Sequence, residues 1–171
     1  LSITNVSTTN VSCNGGNNGT AIVSVSGGTL PYTYSWGVGV NPSSLYSGSY
    51  SVLITDTFNC PSASQPFTIT QPDVLSISID SLSHISCNGL YDGSINVSTI
   101  GGTLPHFYNW TYPSGYISSN EDINGLFLGT YFLLVTDTNN CYDTLSVIIS
   151  EPTVLSADTS TVNVSCFGGN D

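Results

Sequence analysis

The chain contains no lysine and no arginine, while its 171 residues include 11 Asp plus Glu, so the formal net charge is −11 and the pI about 4.1. A protein without cationic side chains cannot neutralise phosphates and release their counterions, which excludes nucleic acid as a partner. Binding to anionic membrane surfaces falls away for the same reason. No salt bridge to Lys or Arg can form, so burial, hydrogen bonds and any disulfides must hold the fold. Lysine chemistry is also gone, both Schiff-base catalysis and Lys–Asn isopeptide cross-linking. Long hydrophobic runs are missing too: the longest, GLFLGTYFLLV at 125–135, is too short to span a bilayer as a helix. No amphipathic helical stretch of useful length occurs. No signal peptide precedes LSITN, so the sequence reads as a mature chain or an excised fragment.

Scarcity of charge does not mean disorder here, because 39% of the residues are apolar and 11% aromatic, more than a disordered chain carries. Ser and Thr make up over a quarter of the sequence and alternate with Val, Ile, Leu and Tyr. That period of two is the signature of half-buried strands.

The strongest signal is an internal repeat. CNGGNNGTAIVSVSGGTLPYTYSW at 13–36 aligns without a gap on CNGLYDGSINVSTIGGTLPHFYNW at 87–110, and LYSGSYSVLITDTFNC at 45–60 on LFLGTYFLLVTDTNNC at 126–141. The offset grows from 74 to 81 between the two blocks, so the second copy carries a seven-residue insertion after Trp110. QPDVL and EPTVL close the copies, and the pattern then restarts with NVSCFGGND. The expected domains are therefore repeat one at 1–74, repeat two at 75–154, and at 155–171 the first strand and turn of a truncated third. That segment should pair with a neighbouring chain or continue into a third domain, since an isolated strand is unstable in water.

Each full repeat owns an early and a late cysteine, and equivalent cysteines recurring in pairs suggest an oxidising, extracellular compartment. The repeat phase predicts internal staples Cys13–Cys60 and Cys87–Cys141, leaving Cys166 unpaired. A rival phase pairs Cys60 with Cys87 and Cys141 with Cys166 across the repeat boundaries. Internal staples are preferred because small domains gain most from them.

Alternation also sorts the faces. Ala21, Val23 and Val25 match Ile95, Val97 and Thr99; Tyr50, Val52 and Ile54 match Tyr131, Leu133 and Val135; and Phe67 and Ile69 match Val147 and Ile149. Tyr32, Tyr34 and Trp36 match His106, Tyr108 and Trp110, with the Trp plugging the core. Turn signals such as GGTLP, DTFN and DTNN separate these strands. The fold class is all-β: tandem small Ig-like antiparallel β-sandwiches, two complete plus the start of a third. Linkers with almost no slack should make the array a stiff rod.

The combination of C-N-G-G-x-[ND]-G-[TS], V-S-x-x-G-G-T-x-P-x-x-Y-x-W, G-[ST]-Y-x-x-x-[VI]-T-D-T-x-N-C and [QE]-P resembles the SprB-type repeat of cell-surface gliding adhesins in Bacteroidota. The chain departs from that pattern at Leu90 and Tyr91 and in the insertion after Trp110. The resemblance implies extracellular display on the bacterial surface after type IX secretion, and a part in cell adhesion or gliding motility. It makes this chain an internal segment of a longer protein, a stalk or filament.

A residue serving a shared site should recur in both copies. Neither histidine does: His84 stands where repeat one has Asn10, and His106 where it has Tyr32. A Ser nucleophile lacks a positioned base, and the adjacent Glu121 and Asp122 fall in the insertion, so no enzyme is expected. Asp56 and Asp137 do recur; the simpler reading is an Asx turn, the alternative a calcium ligand. No other cofactor is expected. Ser81, Thr144 and, more weakly, Thr57 follow an Asp and precede an aliphatic or aromatic residue, which resembles the O-glycosylation acceptor used in Bacteroidota. Phe132 and Leu134 should point away from the core and be buried against another chain or domain, making this face an interface; an exposed Phe132 would count against it. Partners are then other copies or neighbouring repeats, with surface glycans as an alternative in a glycan-binding or calcium-dependent adhesive module.

Overall fold

The computed structural model describes residues 1–113, 115, 117–162 and 165–168. The described chain is all-β. Repeat one holds β1 (Ser2–Thr9), β2 (Thr20–Ser26), β3 (Thr33–Ser35), β4 (Gly48–Thr55) and β5 (Gln65–Ile69). Repeat two holds β6 (Ser76–Ser83), β7 (Gly93–Ile100), β8 (Phe107–Thr111), β9 (Ile117–Ser118), β10 (Ile123–Leu126), β11 (Gly129–Thr136) and β12 (Tyr142–Ile149). All strand pairs are antiparallel. In repeat two a sheet ordered β10-β7-β6 faces one ordered β12-β11-β8-β9; in repeat one β1-β2 faces β3-β4-β5. This is the Ig-like sandwich that the alternation predicts.

The faces sort as the period of two requires. Ile95 and Val97 from one sheet meet Tyr131, Leu133, Val135, Val147 and Ile149 from the other. Trp110 is fully buried among them, and its indole N–H donates to Glu121 O at 3.1 Å. Burying each aliphatic side chain of this kind stabilises the fold by roughly 1.5–3 kcal/mol. Repeat one packs a smaller cluster of Val11, Ala21, Leu45 and Ile69, with Val52 and Ile54 also fully buried and Trp36 only half-buried, edge-on against Phe67. The longer connection of repeat two holds β9 and the edge strand β10, whose Ile123 adds a buried side chain beside Ile95 where repeat one has Pro42 beside Ala21. Repeat one makes do with an isolated bridge, Gly19 to Leu45, at the equivalent place.

Three expectations are corrected. The only disulfide among the described residues joins Cys13 to Cys141, 128 residues apart, with Cα atoms at 5.6 Å; Cys60, Cys87 and Cys166 are free and exposed. The predicted staples Cys13–Cys60 and Cys87–Cys141 do not form, nor do the alternatives Cys60–Cys87 and Cys141–Cys166. The reason is distance: the early cysteine follows the first strand of its sandwich and the late one precedes the last, which places them at opposite ends. Eight-residue strands such as β6 run about 25 Å, whereas bridged Cα atoms lie within about 7 Å.

Next, residues 155–162 and 165–168 form no strand, and Leu155, Val162 and Phe167 are exposed. In repeats one and two the opening strand is held by β2 or β7, and among the described residues none pairs in this way with 155–162. Last, Phe132 is 49% exposed and Leu134 is exposed as well. Among the described residues, those that line this face all belong to repeat two. The expected burial against another domain of this chain is not met. The face forms a shallow groove of about 490 Å³ that also includes Asn109, Thr111 and Thr144.

Candidate functional site: the junction between repeats

The disulfide marks where chemistry concentrates. Its early half follows β1 in the loop Ser12–Gly15, and that loop lies on the linker. Asn14 Nδ2 donates to Pro72 O at 3.0 Å and Gly15 N to the Gln71 side-chain oxygen at 2.9 Å. The linker backbone is bound in turn by Val11 N, which donates to Thr70 O at 3.0 Å. Leaving the clamp, the linker inserts Leu75, 7% exposed, into the core of repeat two.

The receiving end of repeat two is built around Asp137, 2% exposed. Its Oδ1 accepts from Asn139 N at 2.8 Å and Cys141 N at 2.9 Å, and its Oδ2 accepts from Thr103 N at 2.8 Å. One carboxylate therefore ties the β11–β12 turn to the β7–β8 loop and fixes Cys141. Asn140 completes the turn with φ 62°, a left-handed conformation that Asn tolerates. Gly101 and Gly102 allow the linker to pass: a Cβ on Gly101 would meet Val74 O at 1.9 Å, and one on Gly102 would meet Leu75 Cδ1 at 2.9 Å. Gly102 N donates to Asp73 O at 3.0 Å, and Asn139 Nδ2 reaches back to Ser12 O at 3.2 Å.

Each half of the junction is present twice. Asn88 Nδ2 donates to Pro152 O at 3.2 Å and Gly89 N to Glu151 Oε2 at 3.0 Å, repeating the linker clamp. Asp56 Oδ1 accepts from Phe58 N and Cys60 N, both at 2.9 Å, and its Oδ2 from Thr29 N at 3.2 Å. These N–H groups, Cys60's foremost, hold the Asp56 carboxyl below its ordinary pKa. Leu1 lies against Gly28 beside Asp56 as Leu75 lies against Gly102 beside Asp137.

The histidines belong to this framework. His84 Nδ1 accepts from Ser150 N at 3.2 Å where Asn10 Oδ1 accepts from Thr70 N at 2.9 Å. His106 Nε2 pairs with Gly101 O at 3.0 Å where Tyr32 OH donates to Gly27 O at 2.7 Å. The insertion carboxylates are anchored as well: Asp122 Oδ1 accepts from Val97 N at 3.0 Å and Glu121 Oε1 from Tyr108 OH at 2.8 Å. Burial foremost, with Glu121 and Asp122 nearby, raises the Tyr108 phenol above its ordinary pKa. Asp92 caps Ser86, accepting from its N–H at 3.0 Å, and the Ser86 hydroxyl, ahead of that N–H, lowers its carboxyl. Sequence reading missed these insertion anchors and the linker clamp; the recurrence of CNG together with [QE]P was the signal for the clamp.

The remaining candidates lie apart. Ser81 is exposed on β6 just after a register shift, Thr144 is exposed on β12, and Thr57 is exposed with its hydroxyl donating to Pro31 O at 3.3 Å. Among the described residues no three or more His, Cys, Asp or Glu side chains gather into a metal-holding group. Among the described residues no helix is long and apolar enough to cross a membrane.

The family model described as SprB repeat matches twice, at residues 5–41 and 80–115, the same part of each repeat. No curated protein matches the chain. Among solved structures, three N-terminal domains of the highly immunogenic outer capsid protein of bacteriophage RB49 align with 86% of this chain at 17% identity and a TM-score of 0.51. A 282-residue C-terminal fragment of intimin, solved with the intimin-binding domain of its translocated receptor, aligns with 87% at 15% identity and a TM-score of 0.49. Domains 4 and 5 of the S-layer protein SbsC align with 87% at 15% identity and a TM-score of 0.35. The matches cover 58%, 64% and 99% of those chains respectively, so this chain spans under two thirds of the first two.

Proposed function

Since the chain carries two SprB-type repeats, we propose that it is a structural segment, a stalk or filament, of a large extracellular surface adhesin. Its sandwiches are joined end to end into a stiff rod. One observation carries this reading: the Cys13–Cys141 disulfide crosses between the repeats, at the same junction as a hydrogen-bonded linker. A bridge within one domain protects that domain, whereas a bridge across a junction resists bending and pulling between domains. The matching family is a surface-protein repeat, and the recurring polar residues are committed to backbone hydrogen bonds. This supports a load-bearing role over catalysis. The buried Trp110 and half-buried Trp36 give no exposed pair of platforms for sugars, which weighs against the glycan-binding alternative.

Small-angle scattering on the oxidised 171-residue chain tests the rod. Two sandwiches built on strands of about 25 Å, set end to end with their turns, should give a maximum dimension near ~75 Å and little flexibility. Reduction should broaden the distance distribution. A compact side-by-side profile, or a flexible one in the oxidised chain, refutes the reading.

A further inference from the structure

Cys60 and Cys87 stand in the same surroundings as the two cysteines that are bonded, and neither forms a disulfide among the described residues. Cys87 is the counterpart of Cys13. Both precede an Asn whose Nδ2 binds a linker prolyl carbonyl and a Gly whose N–H binds the Gln or Glu before that proline. Cys60 is the counterpart of Cys141, because each gives its backbone N–H to the buried aspartate of its turn at 2.9 Å. The faces around them are duplicated too. Beside Cys87 lies a groove of about 400 Å³ that includes Asn88, Pro152, Val154 and Leu155. Its counterpart at the occupied junction, about 300 Å³, includes Cys13, Asn14, Val74, Leu75 and Cys141. Leu75 is 7% exposed because repeat two closes over it, whereas Leu155 is 98% exposed.

We propose that Cys60 and Cys87 are outward-facing halves of the same inter-repeat disulfide. Cys87 bonds the late cysteine, that of T-D-T-x-N-C, of a further repeat of the same polypeptide docked over Val154 and Leu155. Cys60 bonds the early cysteine of a repeat docked at the opposite end. The rule read from Cys13 and Cys141 is that an early cysteine bonds the late cysteine of the next repeat, so an array becomes a ladder with one covalent rung per junction. In each rung two thiols lose two protons and two electrons and form one S–S bond; a disulfide oxidant such as oxidised glutathione takes the electrons and becomes two thiols. The occupant is a repeat because the matching face of repeat one is already covered by one, and Leu155 follows the linker as Leu75 does. Cys166 is the next early cysteine in the series.

This inference rests on the rod reading, and the test separates the two. In the 171-residue chain, alkylation before digestion should label Cys60, Cys87 and Cys166 fully and recover Cys13 linked to Cys141. A second chain keeps all 171 residues and inserts an extra copy of residues 75–154 after residue 154. Refolded with reduced and oxidised glutathione, it should yield a new linked peptide between Cys87 and the late cysteine of the inserted copy, with Cys60 still alkylated. Cys87→Ser should abolish that peptide and leave Cys13–Cys141 in place. Cys87 alkylated in the lengthened chain, or linked to Cys141, or Cys60 linked to Cys13, overturns the proposal. An extended scattering profile with Cys87 unbridged leaves the rod standing and removes the ladder; a flexible profile with the new rung mapped does the reverse.

Discussion

Replacing Asp137 by alanine is the sharpest test of how the junction end of repeat two is held. The side chain is 2% exposed and accepts three backbone N–H groups, from Asn139, Cys141 and Thr103, at 2.8–2.9 Å. Hydrogen bonds to a charged group contribute roughly 1.5–3 kcal/mol each, and donors left buried cost a similar amount. Three such bonds set a ceiling of about 5–9 kcal/mol. Water entering the space and relaxation of the turn offset part of this, so Asp137→Ala should cost about 4 kcal/mol. Asp137→Asn should cost about 2 kcal/mol, because one oxygen can still serve Asn139 and Cys141 while the amide NH₂ confronts Thr103 N–H. Urea unfolding followed by tryptophan emission, in a Trp36→Phe background that isolates Trp110, reads repeat two alone. The comparison is valid if the denaturant slope is unchanged. A cost below about 1 kcal/mol for alanine, or an asparagine variant as damaged as the alanine one, refutes the claim that this carboxylate organises the turn.

Three further outcomes follow from the same geometry. The Asp56 carboxyl lies below its ordinary pKa in the folded state, so its contribution is fully present above the unfolded value of about 3.9 and is lost as pH falls through the lower folded value; the urea midpoint of repeat one in wild type and Asp56→Asn should therefore converge in acid. Gly101→Ala places a Cβ 1.9 Å from Val74 O at a φ of +74°, so the linker must lift, and alkylation of native protein should find Cys13 and Cys141 partly reactive where wild type protects them. His106→Tyr should restore the bond made by Tyr32 and change repeat-two stability by less than about 0.5 kcal/mol, while His106→Phe should lose about 1 kcal/mol, measured in the same unfolding assay.

Strand positions and core faces were legible in the sequence because period two is a local signal, and two copies allow it to be read twice. Val52, Ile54, Leu133 and Val135 are buried where alternation places them. The histidines were harder. Recurrence of identity removed them from any shared site, yet recurrence of role ties them to the framework. Asn10 and His84 both accept the N–H of the residue that follows the last strand, and Tyr32 and His106 both hold the first glycine of the GG pair. A hydrogen-bonding position can be conserved between copies while the side chain filling it changes. The insertion was illegible for another reason: Asp122 caps Val97 and Glu121 meets Tyr108, partners brought together only by the fold, which no spacing announces.

The cysteine pairing was the costliest misreading, and turn parity contained the correction. In an up-and-down run of strands, successive turns alternate between the two ends of the sandwich. Cys87 lies in the turn after the first strand of repeat two and Cys141 in the turn before the last. Between β6 and β12 there are six turns, the first and the sixth being these two, so they fall at opposite ends. An internal staple would have to cross the length of the domain. An early cysteine instead faces the end where the next repeat begins, and that repeat presents its last turn there. The insertion does not disturb this in repeat two, because β9 and β10 add strands without moving the final turn to the other end. Parity thus makes the bridge a property of the array, and a single isolated repeat should contain two thiols that cannot reach each other.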